Sequence, residues 1–142
     1  EVRALSTASD PVFSQGMMGE GVVILPSEGL LSAPFAGVVS AVFPTKHAIG
    51  LISDAGVEVL IHIGMDTVSL AGKGFETFVA QGDHVIKGQK LLTFDIDFIK
   101  NQGFVIETPV IVTNQDSFQA DLLGQVPHAT LTGDVIMTAT KR

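Results

Sequence analysis

Residues 45–64, TKHAIGLISDAGVEVLIHIG, contain two runs of branched apolar residues on either side of a turn-forming cluster at 53–56. This pattern is typical of a β-hairpin. If the turn is centred on the middle of that cluster, His47 lies directly opposite His62, with Cβ atoms about 4.5–5.5 Å apart. A three-residue loop with Gly56 in a bulge would shift the register by one residue and turn the two rings to opposite faces. We favour the first register, so the sequence predicts two opposed imidazoles at one end of a sheet.

These two histidines are the best candidates for chemistry because the chain has no cysteine. A single histidine in an apolar strand is more often a half-buried packing residue than a functional group. Two opposed imidazoles beside Thr45, Asp66 and Thr67 argue against that interpretation, since so polar a cluster makes a poor core. The remaining histidines, His84 and His128, lie in polar turn contexts and are interpreted as surface residues.

Length and composition predict a single domain over residues 1–142 with a sizeable core, because 46% of the residues are hydrophobic. The mean hydropathy is high, at +0.43. Every apolar run is nevertheless interrupted before the roughly 18 residues that a membrane helix needs. The sequence also shows no secretory signal and no disulfide framework, which favours a cytoplasmic protein. The net charge of −7 argues against nucleic acid and suits a positively charged protein partner.

The pattern of the whole chain is all-β: 15 glycines and six prolines separate many short β-branched runs. We predict an antiparallel β-sandwich or barrel-sandwich hybrid with one or two short helical turns. The predicted strands are Gly21–Leu25, Gly29–Ala33, Gly37–Phe43, Ala48–Ser53, Val57–Ile63, Glu76–Ala80, Asp83–Ile86, Lys90–Phe94, Pro109–Val112 and Val135–Thr140. The predicted helical pieces are a short helix at Asp97–Gln102 and single turns at Pro11–Gln15 and Ser117–Leu122.

A duplicated motif is also suggested by the sequence. Residues 80–92, AQGDHVIKGQKLL, have the hairpin pattern of barrel-sandwich hybrid domains, in which glycines permit tight crossings. Residues 32–39, SAPFAGVV, match the first strand of such a unit.

Five motifs in order along the chain carry a family resemblance: FSQGMMGEG at 13–21, TKHAIG at 45–50, EVLIHIGMDTV at 58–68, GF at 74–75 and TPV at 108–110. Together they resemble the glucose-type IIA domain of the bacterial phosphoenolpyruvate-dependent sugar phosphotransferase system. The first strand of that family is missing here. The resemblance therefore implies a domain that lacks its first strand and belongs to a longer polypeptide.

The resemblance implies a phosphocarrier without a cofactor or a metal ion. His62 matches the residue that accepts a phosphoryl group from the histidine-containing phosphocarrier protein and passes it to a cysteine of a IIB domain. His47 matches the residue that steadies the phosphoryl oxygens, and Thr45 the one that orients His47. Gly64, two residues beyond His62, is expected on the same strand face, where it leaves space for the phosphate. The domain would be cytoplasmic, or tethered to the inner face of the membrane as part of a permease.

A carrier that meets two partners in turn needs a shallow docking surface around its histidines rather than a deep pocket. We expect partly exposed apolar residues there, surrounded by acidic ones. The expected apolar contacts are Phe13, Met17, Met18, Phe43, Ile61 and Val68. The resemblance implies that Asp10 and Asp66 are the acidic contacts, because they match acidic positions at the rim of this surface in the family.

Three alternatives have other mechanisms. A lysostaphin-like zinc peptidase needs a His-x-His pair, and no two histidines here are two residues apart. A biotinyl or lipoyl carrier needs a lysine at a tight turn, and neither Lys46 nor Lys87 has that setting. The strongest alternative is a regulatory protein of the same fold, in which the histidine pair and a partner carboxylate capture zinc. The sugar itself is not encoded in such a domain, because selectivity resides in the membrane part of the permease.

Overall fold

The computed structural model describes residues 2–4, 15, 20–26, 28–113, 118–122 and 137–141, with side chains at 15, 21–26 and 28–113. These residues form twelve strands, a 3-10 turn at Thr67–Leu70 and one helix, α1, at Ile96–Asn101. The strands are β1 Val2–Ala4, β2 Glu20–Ile24, β3 Leu30–Ser32, β4 Gly37–Val42, β5 Ala48–Ser53, β6 Glu58–His62, β7 Phe75–Thr77, β8 His84–Val85, β9 Lys90–Phe94, β10 Thr108–Val112, β11 Phe118–Leu122 and β12 Met137–Lys141.

The strands form a seven-stranded sheet in the order β1-β2-β10-β6-β5-β4-β8, a three-stranded sheet β3-β9-β7 and the pair β11-β12. Every pairing of neighbouring strands is antiparallel. One apolar cluster joins the larger two sheets, since it contains Leu51 and Ile61 of the seven-stranded sheet and Leu92 of the three-stranded sheet. The predicted antiparallel sandwich is confirmed. Within the part of the chain that the structure describes, no helix is long and apolar enough to cross a membrane.

The predicted strands agree with the observed ones closely, and β5 and β9 have the predicted bounds. The predicted helix begins one residue earlier, at Ile96, because the Asp95 carboxylate accepts a hydrogen bond from the Phe98 amide and caps it. The predicted turn at Ser117–Leu122 is wrong, because residues 118–122 pair with β12 as a strand. Of the predicted turn at Pro11–Gln15, all but Gln15 lie outside the described residues.

The predicted register of the central hairpin is also wrong. His62 pairs with Ala48, not with His47, and this register continues to the pair Ile52–Glu58. The loop has three residues, because the Ser53 amide donates to the Val57 carbonyl and the Gly56 amide donates to the Ser53 carbonyl. Gly56 has φ 96°, a conformation that favours glycine and that forms the bulge of such a loop. This three-residue loop shifts the pairing of β5 with β6 by one residue from the predicted register.

The core of the hairpin follows strand alternation. In β5, Ile49 and Leu51 are fully buried, and in β6 Val59 and Ile61 are buried. Ile61 is 2% exposed and belongs to the central apolar cluster. The expectation that Ile61 contacts a partner is therefore wrong, because its side chain points into the sandwich.

We expect Ile61→Ala to lower the free energy of unfolding by about 2–5 kcal/mol, since it removes buried methylenes and leaves a cavity. Ile86→Ala removes the same atoms at a position 69% exposed, and we expect a change within about 0.5 kcal/mol. Urea denaturation of the two variants measures the difference. Equal losses of stability would contradict the core position of Ile61.

Candidate functional site

A tight turn between β4 and β5 brings His47 to the end of the central hairpin. The Lys46 amide donates a 2.8 Å hydrogen bond to the Phe43 carbonyl, which closes a four-residue turn with Pro44 in its second position. Lys46 then adopts a left-handed conformation with φ 61°. His47 follows this residue and precedes Ala48, the first residue of β5.

The imidazoles of His47 and His62 are in contact, with ring centroids 4.8 Å apart and ring planes at 80°. A regular pleat in the observed register would have placed them on opposite faces of the sheet. The pleat does not fix the direction of the His47 side chain, because His47 lies outside β5, next to the left-handed Lys46. The His47 carbonyl still accepts a 2.7 Å hydrogen bond from the Ile63 amide, which holds the two strand ends together. The two rings therefore meet by a route different from direct opposition.

The orientation of the His62 ring is set by Gly64. The Nδ1 atom of His62 lies 2.7 Å from the Gly64 carbonyl oxygen. A carbonyl only accepts, so Nδ1 carries the hydrogen, and in the neutral ring Nε2 keeps the lone pair. Gly64 has φ +77° and lies beyond the end of β6, so the expectation that it shares a strand face with His62 is wrong. Its observed contribution is a carbonyl that binds the ring.

The His47 ring has a different partner. Its Nδ1 atom lies 2.6 Å from the Thr45 hydroxyl. Burial and, to a smaller extent, repulsion from a charged His62 together lower the pKa of His47 from 6.5 to about 4. The ring is therefore neutral near pH 7. A hydroxyl that donates to Nδ1 leaves the hydrogen of this neutral ring on Nε2.

An exposed aromatic ring contacts His47, and a second exposed apolar side chain follows His62 in the sequence. Phe43 is 38% exposed and its ring meets the His47 ring edge to face at 5.6 Å. Val68, in the 3-10 turn after β6, is 51% exposed. Asp66 is exposed beside it, in a left-handed conformation with φ 59°. The other expected contact residues, Asp10, Phe13, Met17 and Met18, lie outside the described residues.

The sequence-based interpretation missed Val105. Its side chain is 46% exposed, and its carbonyl accepts a hydrogen bond from Met65, three residues after His62. The apolar run from Phe104 to Ile106, uninterrupted by polar residues, was the available signal. We define the apolar patch as Phe43, Val68 and Val105.

Metal binding has little support from the described side chains alone. Among them, no three His, Cys, Asp or Glu residues are close enough to hold a metal ion. His47 and His62 would offer two imidazole ligands, so a zinc ion would need a further ligand from a partner.

Comparison with known proteins agrees with this fold. Residues 1–118 match the family described as phosphoenolpyruvate-dependent sugar phosphotransferase system, EIIA 1. The chain belongs to this family and is a glucose-type IIA domain, with a phosphotransferase role in sugar transport. Its structure is similar to that of glucose permease IIA from Mycoplasma capricolum, with a TM-score of 0.83 and 38% sequence identity. That match covers 96% of this chain and 87% of that chain.

The lowered pKa of His47 predicts a pH dependence of stability. The pKa falls from 6.5 to about 4 on folding, so the unfolded chain binds more protons between these values. The stability that His47 contributes is complete above pH 6.5 and is lost as the pH falls towards 4. As the pH falls from 6.5 to about 4, we expect the free energy of unfolding of wild type to decrease relative to that of His47→Gln.

Two measurements check this expectation. Denaturation at several pH values gives the difference in stability, and NMR titration of the ring gives the pKa itself. His62→Gln removes the repulsion from a charged His62, so it should raise the pKa of His47. A His47 pKa that stays unchanged in that variant would contradict the coupling between the rings.

Proposed function

We propose that this domain carries a phosphoryl group on His62, taken from the histidine-containing phosphocarrier protein and passed to a cysteine of a IIB domain. Membership of the IIA family supports the general role. The observation that carries the assignment to His62 is its 2.7 Å hydrogen bond from Nδ1 to the Gly64 carbonyl, because this bond leaves the lone pair on Nε2. The domain would act in the cytoplasm, where the donor protein and the inner part of a permease are accessible.

In the proposed step, the Nε2 lone pair of His62 attacks the phosphorus of the donor phosphohistidine in line with the bond that breaks. A new P–N bond forms on His62 as the donor nitrogen leaves with its electron pair. Such a transfer depends mainly on positioning and on stabilising the charge of the phosphoryl oxygens. The second transfer, to a thiolate of the IIB domain, breaks the P–N bond on His62 in the same manner.

His47 supplies the charge stabilisation in this proposal. Its ring contacts that of His62, and its Nδ1 lies 2.6 Å from the Thr45 hydroxyl. In the proposed arrangement this hydroxyl donates to Nδ1, so the Nε2–H group of His47 donates to a phosphoryl oxygen. A bound phosphoryl group also brings negative charge, which favours the protonated form of His47 and opposes the effect of burial on its pKa. His47 therefore stabilises the group and does not accept it.

The apolar patch would form the centre of the docking surface, with Asp66 at its rim. Phe43 and Val68 are both more than one-third exposed, so their side chains are available to an apolar contact with a partner. The acidic chain, with a net charge of −7, would attract partners whose docking surfaces are basic.

The test is phosphorylation from phosphoenolpyruvate with the first phosphotransferase enzyme and the carrier protein. We expect one acid-labile phosphate on wild type and none on His62→Gln. His47→Gln should accept the phosphate but pass it to a IIB domain about 10²–10³-fold more slowly, because the transition state loses one hydrogen-bond donor.

His84→Gln is the matched control, because His84 is an exposed imidazole at the other end of the sheet and should keep both activities. Mapping of the phosphate to His47, His84 or His128 would contradict the assignment. Onward transfer by His47→Gln at the wild-type rate would contradict the stabilising role.

The docking surface predicts two separable kinetic effects. Asp66→Lys should slow association with the carrier protein and flatten its dependence on salt, because an exposed charge at the rim acts on encounter. Phe43→Ala should mainly speed dissociation, because an aromatic contact at the centre acts on the lifetime of the complex. Stopped-flow or surface-plasmon measurements at several salt concentrations separate the two.

Asp54→Lys and Phe78→Ala are matched controls. Asp54 is an exposed aspartate in the loop at the other end of β5, and Phe78 is a 46% exposed phenylalanine beneath Lys90. Both controls should leave the two rates close to wild type. Effects of the control substitutions as large as those of Asp66→Lys and Phe43→Ala would place the docking surface elsewhere.

A further inference from the structure

Thr67, five residues after His62, has a completely buried side chain that the proposed transfer does not use. Its exposed fraction is 0%, although it begins a 3-10 turn at the surface. Its hydroxyl donates a 2.5 Å hydrogen bond to the carbonyl of Ile63. The amide of the same Ile63 donates to the His47 carbonyl. Thr67 is therefore bonded to the backbone residue that joins the two strand ends.

The hydrogen bond from Thr67 closes a loop around Gly64. A Cβ added to Gly64 would lie 2.6 Å from the Thr67 methyl carbon and 3.1 Å from the Val105 carbonyl oxygen. The Cα of Gly64 is thus packed between the Thr67 side chain and the backbone of Val105. A φ of +77° and this close packing together permit only glycine there.

The peptide bond between Gly64 and Met65 links this packing to the orientation of the His62 ring. The Gly64 carbonyl and the Met65 amide belong to one planar unit, and in a trans peptide they point in opposite directions. The Met65 amide donates a 2.9 Å hydrogen bond to the Val105 carbonyl. The Gly64 carbonyl is consequently directed away from Val105 and towards Nδ1 of His62, 2.7 Å away.

We propose that Thr67 is a positioning residue: by fixing the loop at Gly64, it keeps the carbonyl on Nδ1 of His62 and so selects the ring tautomer with its lone pair on Nε2. Thr67 acts through Ile63, to which it is hydrogen-bonded, and through Gly64, against which its methyl group packs. This inference rests on the proposed phosphoryl transfer for its functional consequence. Its structural part, control of the tautomer, can be measured without any phosphate.

The direct test is long-range ¹H–¹⁵N NMR of the imidazole nitrogens above the pKa of the ring, which reports which nitrogen carries the hydrogen. We expect His62 of wild type to be protonated at Nδ1. Thr67→Val keeps the size of the side chain and loses the hydroxyl, so we expect a mixture of both tautomers. Thr67→Ser keeps the hydroxyl and should retain the wild-type tautomer.

Thr108→Val is the matched control, because Thr108 is also 0% exposed and also donates to a backbone carbonyl, that of Ile106. It should lose a similar amount of stability and keep the His62 tautomer. If Thr67→Val does not fold, Thr67→Ala provides the same comparison. A wild-type ring protonated at Nε2, or unchanged tautomers in the folded Val or Ala variant, would overturn the proposal.

Phosphorylation of the same variants separates this proposal from the one on which it rests. We expect Thr67→Val to accept phosphate more slowly by about tenfold or more, because a misdirected nucleophile loses alignment. Suppose that Thr67→Val shows mixed tautomers but wild type takes no phosphate on His62. This result would support positioning by Thr67 and contradict the proposed transfer. Mixed tautomers with a wild-type rate of phosphorylation would overturn the functional part of the inference.

Discussion

The hydrogen bond between Nδ1 of His62 and the Gly64 carbonyl is the interaction on which the site depends. An imidazole has two nitrogens of nearly equal character, and a nucleophilic ring must present the lone pair of one of them in a defined direction. The protein makes this choice with its backbone, because a carbonyl at 2.7 Å accepts only from a protonated nitrogen. No charged side chain is required to set this tautomer. Backbone at the end of β6 thus determines that Nε2 of His62 is the nitrogen with the lone pair.

Packing of the sandwich supports the backbone that sets the tautomer of His62. The inward side chains of β5 and β6 are buried, and the hairpin that the two strands form lies in the middle of the seven-stranded sheet. The histidines sit where these strands end, so the rings are held by a rigid support while the adjoining turns are free to adopt unusual conformations. Two such conformations occur beside the histidines, at the left-handed Lys46 and Asp66. Backbone of this kind persists only where packing supports it.

Most of the strands could be predicted because short apolar runs between glycines and prolines are a local signal. The register of the central hairpin could not be predicted with the same security. A cluster of four turn-forming residues is compatible with two loop lengths, and the choice made by Gly56 shifts the pairing by one residue. Residues 118–122 were mistaken for a turn because the pairing of β11 with β12 is a contact between segments distant in sequence. The 3-10 turn after β6 was missed because no helical periodicity precedes or follows it.

By itself, the sequence determined the all-β architecture, the family and the identity of the two histidines, since these depend on residue types, local patterns and motif spacing. Only the tertiary structure decided how the rings meet. In the observed register a regular pleat would have separated them, and they touch because the chain leaves the pleat at Lys46, before β5 begins. The tertiary structure also brought Val105 to the site and directed the Gly64 carbonyl at His62. These features depend on hydrogen bonds between segments some forty residues apart, and no local pattern of residues contains that information.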